Sequence, residues 1–240
     1  MTVQDAYTRL DAARRLHLLG DWDHAAALLA GDTTPESLAL TAEIHYEKLL
    51  FQLDGIDAAA DATAALDPQS PDALLLTARL AYARLVFQLD PRPDDYETAA
   101  TGYRLASAHP TTHGWSEFHW GALLDNVADD SAAARDHYAE AMRAANDEHD
   151  LLLDAMVLRH LAGHVADDGD HAEALRMLRR SLALRAAAGK RPQVAAAQLL
   201  LAGELAADDP ERASLVEAAR SVADELNLSW VRSGLQQLTG

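Results

Sequence analysis

Cysteine is missing altogether from the 240 residues of this sequence, lysine occurs only at Lys48 and Lys190, and aromatic residues make up 5%. Without cysteine the chain forms no disulfide and offers neither a thiolate nucleophile nor a cysteine ligand. Long apolar runs are missing too, because Arg79 and Arg84 interrupt the best candidate, 74–87, and a membrane span needs about 18 apolar residues. The first residues lack the basic and then apolar pattern of a secretory signal. We therefore expect a cytoplasmic protein that does not enter a membrane.

Positive charge is also scarce. Lysine and arginine together number 20 against 38 acidic residues, which gives a formal net charge of −18. A field of this sign repels phosphate backbones and anionic lipid surfaces, so nucleic acid is not an expected partner. Aspartate outnumbers glutamate while lysine is rare, a balance compatible with a high-GC bacterial genome or with adaptation to salt.

What the sequence has in abundance is alanine and leucine, and hydrophobic residues amount to 49%. Both residues favour helices because they lose little conformational freedom there, whereas the β-branched residues that favour strands are sparse. The composition therefore predicts an all-α fold.

An internal repeat lies in the first half of the chain, where segment 41–54 recurs 36 residues later as segment 77–90. Tyrosine and two leucines recur in each copy at positions i, i+3 and i+7, which lie on one face of a helix. We infer a duplicated helix that needs a neighbour to cover it. The identical residues are Thr41 and Thr77, Ala42 and Ala78, Tyr46 and Tyr82, Leu49 and Leu85, Phe51 and Phe87, Gln52 and Gln88, Leu53 and Leu89, and Asp54 and Asp90.

Acidic doublets punctuate the rest of the chain, each before an alanine-rich stretch. Aspartate is favoured at helix N-caps, because its carboxylate accepts hydrogen bonds from the unpaired amides of the first turn. A calcium loop is the alternative, but 167–170 lacks the alternating oxygen ligands and the later glutamate of an EF-hand. We therefore predict N-caps at Asp94-Asp95, Asp129-Asp130, Asp167-Asp168 and Asp208-Asp209.

Small and large residues follow three of these acidic positions at a fixed spacing. The sets are Ala99, Tyr103 and Ala106; Ala134, Tyr138 and Ala141; and Ala174, Leu178 and Ser181. In this pattern the chain resembles the tetratricopeptide-repeat (TPR) family, whose second helix carries such residues so that it can press closely on the first. The resemblance implies a right-handed superhelical solenoid of about six antiparallel helical hairpins in a single domain, 1–240. The expected hairpins are 3–31, 36–67, 72–109, 113–146, 149–188 and 193–227, followed by a capping helix at 229–238.

Repeat proteins of this kind bind along a concave surface made by the first helix of each hairpin. Alignment with the TPR pattern places His119 and Asn126 of the fourth hairpin, with Met156 and Arg159 of the fifth, on that surface, and His160 and His164 at its edge. Arg159 would capture a carboxylate or phosphate through its bidentate fork, or would pair with a local carboxylate. Gly163 lies on the same surface and would leave space for a ligand or for a neighbouring helix.

Two tryptophans mark the start of the fourth hairpin. Trp115 and Trp120 flank Glu117 and His119, and this cluster would either stack on a planar ligand or pack between helices. We include both tryptophans among the candidate ligand-binding residues.

Metal and catalytic chemistry find little support. His160 and His164 are four residues apart and can reach one point, but Leu161 stands where a zinc hydrolase motif has glutamate, and no third ligand is evident. The alternative is that both histidines are packed inside the protein, with their hydrogen bonds made to neighbouring polar groups. Gly189-Lys190 lacks the remaining residues of a phosphate loop. We predict no metal, no cofactor and no catalytic residue, and lean against an enzyme.

Two functions remain open, and both depend on the solenoid. The first is an interaction module that binds a peptide or protein in its concave groove, an expectation from fold analogy. The alternative is a small-molecule or catalytic site made by His, Arg and Trp residues between the fourth and fifth hairpins. A closed pocket where His119, Arg159 and His160 converge would favour the alternative, and an open channel the first. Self-association through a terminal helix face is a further possibility.

Overall fold

The computed structural model describes the backbone of residues 3–239 and the side chains of residues 8–238, and this part of the chain is helical throughout, with no strand. The all-α class is confirmed. None of the described helices is long and apolar enough to cross a membrane. The helices are α1 (Val3–Leu19), α2 (Trp22–Leu29), α3 (Pro35–Gln52), α4 (Ile56–Ala64), α5 (Pro71–Phe87), α6 (Asp95–Ala106), α7 (His113–Asn126), α8 (Ser131–Glu148), α9 (Leu151–Asp167), α10 (His171–Ala187), α11 (Arg191–Glu204), α12 (Pro210–Glu225) and α13 (Ser229–Thr239).

Close packing between consecutive helices follows the small residues of the sequence. Ala134, Tyr138 and Ala141 of α8 are fully buried, as the spacing predicts. Gly121 of α7 faces them, and a Cβ atom there would lie 2.8 Å from the Tyr138 ring and 3.2 Å from the Ala134 carbonyl oxygen. The two backbones therefore approach at a distance that admits only glycine on one side and alanine on the other.

The acidic doublets cap helices at two of the four predicted places. Asp130 accepts a hydrogen bond from the Ala133 amide, and Asp209 accepts one from the Glu211 amide. At the first doublet Asp94 occupies the N-cap position of α6, as predicted, but its side chain makes no cap hydrogen bond, and Asp95 lies inside the helix. The prediction is wrong at Asp167-Asp168, where α9 ends; Asp170 caps α10 instead.

The helices form a closed ring, because each of α3, α5, α7, α9, α10, α11 and α13 contacts the next and α13 contacts α3 again. At the junction, the rings of Phe51 and Trp230 meet edge to face with centroids 6.4 Å apart. The Gln52 side-chain amide donates a hydrogen bond to the Leu226 carbonyl oxygen over 3.2 Å. The first and last parts of the chain are therefore packed against each other.

A buried ion cluster joins the same two parts of the chain. The Lys190 Nζ atom lies 2.8 Å from both carboxylate oxygens of Glu47, and His17 Nε2 lies 2.5 Å from Glu47 Oε2. Gly20 lies nearby with a φ of +82°, and a Cβ atom there would meet Leu226 and Pro192 at 2.8 Å each. Glycine is therefore required at this point both for its backbone conformation and for the close approach.

Candidate functional site

A cavity of about 410 Å³ lies inside the ring of helices. Its walls come from the helices that make the ring, so the side chains reach it from distant parts of the sequence. Most of the lining is apolar or aromatic, and the lining residues are Leu50, Phe51, Tyr82, Val86, Phe87, Asn126, Met156, Arg159, His160, Arg185, Gln193, Ala196, Leu200 and Trp230. Two arginines are its charged residues, and no aspartate or glutamate is among them.

Arg159 is half-buried and is held by a chain of hydrogen bonds. Burial, and after it the Arg159 charge, lowers the pKa of His160 to about 3, so this imidazole is neutral at pH 7. Its Nε2 atom accepts a hydrogen bond from Arg159 Nη1 over 2.8 Å. Its Nδ1–H group donates to Tyr138 Oη over 2.9 Å, and the Tyr138 hydroxyl donates to Asp125 Oδ2 over 3.2 Å. The partner of the Arg159 guanidinium is thus a neutral ring.

Arg185 is more deeply buried than Arg159, with 2% of its surface exposed. Its Nη1 donates to the backbone and side-chain oxygens of Gln193 over 3.2 and 3.1 Å, while its Nε has no partner among the described residues. Burial and the nearby Arg159 lower its pKa to about 9, so it still carries its charge at neutral pH. A charged guanidinium therefore lines the cavity with only neutral oxygens around it.

A second cavity, of about 280 Å³, adjoins the first and shares Asn126, Arg159, His160 and Leu200 with it. Its other lining includes exposed residues such as Ser131 and Glu204, so it opens to solvent. Gly163 faces it, and a Cβ atom at this position would meet nothing within 4 Å. Close packing of a neighbouring helix is therefore not the reason for this glycine.

The tryptophan cluster at the start of α7 lies outside the cavity and packs between helices. Trp115 donates from Nε1 to Asp150 Oδ2 over 3.0 Å and stacks on His119 at 6.0 Å between centroids. His119 is buried between this ring and Tyr103, and neither of its nitrogens has a partner among the described side chains. Trp120 stacks on His137 at 4.5 Å. The positions of these three α7 residues do not support the predicted ligand-binding role, because none of them lines either cavity and each ring stacks on another aromatic or histidine ring.

The histidine pair on α9 does not form a metal site. His164 Nε2 lies 3.0 Å from both oxygens of Asp125, whereas His160 Nδ1 is 3.9 Å from Asp125 Oδ2 and turns to Tyr138. Among the described residues no group of three or more histidine, aspartate or glutamate side chains could hold a metal ion. His160, Tyr138, Asp125 and His164 are thus parts of one polar network.

Of the predicted residues, the structure brings Asn126, Met156, Arg159 and His160 to the central cavity, and His164 to the adjoining one. Sequence reasoning missed Arg185 and Trp230 entirely. It also missed Phe51 and Phe87, although these two occupy equivalent positions of the duplicated segment, and that equivalence was the signal that could have identified them.

The fold and the cavity together define an all-helical protein with an internal, arginine-bearing cavity. No family model matches the sequence, and no curated protein matches it either. One solved structure that is similar to the chain is described as the crystal structure of BtubC (BKLC) from P. vanneervenii. The two chains are 18% identical, the similarity covers 92% of this chain and 89% of that chain, and the TM-score is 0.48. A similarity of this extent says nothing about what the chain binds.

Proposed function

We propose that this chain is a binding protein built of TPR-like helical hairpins, and that its ligand is a small molecule held in the central cavity. The observation that carries the proposal is the cavity itself, an apolar space of about 410 Å³ with two guanidinium groups and a neutral imidazole on its wall. Ligand sites typically combine a volume of roughly 300–1,000 Å³, apolar walls and a few polar groups that fix orientation.

The closure of the ring favours a small ligand over a long one. Contacts between α3 and α13 close the ring, so helices surround the inner surface laterally, while the exposed Asn126 shows that the cavity also reaches solvent. A small molecule can enter the cavity without opening the Glu47–Lys190 junction. A folded protein surface would have to separate helices of the ring to reach the buried Arg185.

Binding of a peptide segment is the second candidate, favoured by the adjoining cavity. Asn126, Arg159, His160 and Leu200 line both cavities, which gives a continuous path from exposed residues to the interior. A short peptide end could follow this path, whereas a folded partner could not.

The experiment uses a variant that fills the cavity. Leu200→Trp adds bulk at a half-buried position shared by both cavities. A protein-free metabolite fraction and a peptide fraction from bacterial cells are each added to the wild type and to the variant, and thermal unfolding is recorded. We expect the metabolite fraction to raise the Tm of the wild type and not that of the variant, because a ligand that binds only the folded state stabilises it.

Other outcomes separate the candidates. A rise with the peptide fraction alone would move the proposal to the second candidate. No rise with either fraction, or an equal rise in the variant with the filled cavity, would refute ligand binding at this site. Leu184→Trp, on α10 and outside both linings, is the control for the effect of an added tryptophan on Tm.

A further inference from the structure

Among the described residues, the buried lysine and arginines other than Arg185 are each paired with a carboxylate. Arg79 donates to both oxygens of Glu43 over 2.7 and 3.1 Å, and Lys190 lies 2.8 Å from Glu47. Arg84 Nη1 lies 3.5 Å from Asp95 Oδ1. This agrees with the general rule that a charge removed from water is compensated by an opposite charge.

Arg185 departs from that rule at the central cavity, and the half-buried Arg159 beside it also has no carboxylate partner among the described residues. Their hydrogen-bond partners among the described residues are the His160 ring and the oxygens of Gln193, all of them neutral. The carboxylate of Asp125 lies at the adjoining cavity, where it already accepts hydrogen bonds from His164, Tyr138 and Ser131. In the described part of the chain, neither of these two guanidinium groups has a carboxylate within ion-pair distance, although the formal net charge is −18.

The rest of the cavity wall indicates the shape of the missing partner. Phe51, Tyr82, Phe87 and Trp230 supply aromatic surface, and Met156 adds a flexible apolar side chain. Such walls bind flat apolar bodies, while the planar fork of arginine matches carboxylate and phosphate oxygens. The acidic residues Asp125, Asp167 and Glu204 line the adjoining cavity, whereas no aspartate or glutamate lines the central one, so the central cavity is the more favourable place for an anionic group.

We propose that the central cavity binds an organic anion, a carboxylate or phosphate carried on a flat apolar body, with the anionic group between Arg159 and Arg185. This inference rests on the proposed function, because it names the chemical class of the ligand that the cavity takes. The apolar body lies against Phe51, Phe87 and Trp230, and the neutral His160 holds the Arg159 fork in place.

The test compares three probes that share one ring system and differ in charge: 2-naphthoate, 2-naphthyl phosphate and the neutral 2-naphthamide. Isothermal titration calorimetry is performed on the wild type, on Arg159→Gln and Arg185→Gln, and on Arg180→Gln. Arg180 is a matched control on α10, since its side chain is exposed and pairs with Asp154. Arg159→Gln changes a half-buried position, so the test does not depend on whether Arg185→Gln, at a more deeply buried position, still folds.

We expect at least one anionic probe to bind the wild type about tenfold or more tightly than the amide, a difference of about 1.4 kcal/mol. Either cavity variant should abolish this preference and leave the affinity for the amide unchanged, and Arg180→Gln should behave as the wild type. The anion that binds more tightly identifies the group as a carboxylate or a phosphate.

Two results would overturn the inference in different ways. Equal binding of the amide and the anions, unaffected by the arginine variants, would refute anion recognition and leave ligand binding in the cavity standing. Absence of binding by all three probes even at about 10 mM, beyond the millimolar range of weak specific affinities, would refute the anion proposal, and the metabolite experiment above would then decide separately on the proposed function.

Discussion

Arg185 is the residue whose surroundings differ most from what its chemistry requires. Its guanidinium group is among the most deeply buried in the described chain, yet it contacts the neutral oxygens of Gln193 rather than a carboxylate. Desolvation of an ion without a counter-charge is unfavourable, so this residue lowers the stability of the empty protein. A bound anion would remove that cost, which couples ligand binding to stability.

Replacement of Arg185 by methionine tests this coupling. We expect Arg185→Met to leave the free energy of unfolding of the empty protein unchanged or to raise it by up to about 4 kcal/mol, because the apolar side chain removes an uncompensated charge. Arg84→Met is the control: it leaves Asp95 buried without its partner and should lower the free energy of unfolding by about 3–5 kcal/mol. Urea unfolding in a buffer without organic anions measures both. Equal destabilisation by the two variants would mean that Arg185 has a purely structural role.

The sequence identified part of the site at this scale and missed another part for a clear reason. TPR-like spacing placed Asn126, Met156 and Arg159 on an inner surface, and all three line the cavity. The same spacing placed His119 there, but a helix face does not reveal which neighbouring side chains cover it. In the structure the rings of Trp115 and Tyr103 cover His119. Arg185 was missed because it lies on α10, a helix that the resemblance assigned to the outer layer.

Among the helices, α7 and α9 show how one residue type serves two opposite purposes. Gly121 of α7 lies against Tyr138 of α8, where a Cβ atom has no room. Gly163 of α9 lies in open space beside the adjoining cavity. Glycine in a helix interior lowers stability by about 1 kcal/mol relative to alanine, so only the first has a packing reason.

Alanine at these two positions should therefore act in opposite directions. Gly163→Ala is expected to raise the free energy of unfolding by about 1 kcal/mol through helix propensity. Gly121→Ala is expected to lower it by about 1–3 kcal/mol, because the new methyl group would lie 2.8 Å from the Tyr138 ring. Urea unfolding of both variants measures the difference. A destabilising Gly163→Ala would show that the space beside α9 is filled in solution.

The helix boundaries were predictable where local signals agree and not where a distant contact intervenes. Asp130 caps α8 as its sequence context predicts. Asp95 does not cap α6, because it accepts a hydrogen bond from the Arg92 amide and lies beside Arg84 of the preceding helix. Asp168 ends α9 because Gly169, with a φ of +93°, provides the left-handed turn that terminates a helix.

The closed ring is a property of the whole molecule that the sequence pattern does not contain. Glu47 and Lys190 are 143 residues apart, and no local spacing connects them. Periodicity predicts each helix and its neighbour, whereas closure depends on the sum of many small rotations between successive helices. The cavity exists because that sum brings α13 back to α3.

The Glu47 junction should therefore control the stability of the ring. Burial opposes ionisation of Glu47, but Lys190 and His17 outweigh it and lower the pKa of this carboxyl below its ordinary value of 4.5. Glu47→Gln leaves the Lys190 charge buried without a counter-ion and is expected to lower the free energy of unfolding by about 3–5 kcal/mol at pH 7. Urea unfolding measures the loss.

The pH dependence supplies a second criterion for the same junction. The folded-state pKa of Glu47 is depressed, so its contribution is fully present above the unfolded value of 4.5 and is lost as the pH falls toward the lower folded value. Below about pH 4.5 the wild type should lose stability more steeply than Glu47→Gln, and the difference between the two should shrink as the pH falls further. Parallel pH profiles would contradict a structural role for the ionised carboxylate. Glu225→Gln, an exposed pair with Arg191, is the matched control.

The most direct measurement is a crystal structure of the protein grown with whichever of 2-naphthoate and 2-naphthyl phosphate binds more tightly. The account predicts electron density for the naphthyl ring against Phe51, Phe87 and Trp230, with the anionic group within hydrogen-bond distance of Arg159 and Arg185. An empty or collapsed cavity, a carboxylate of the protein itself paired with these two arginines, or a probe bound elsewhere on the surface would contradict it.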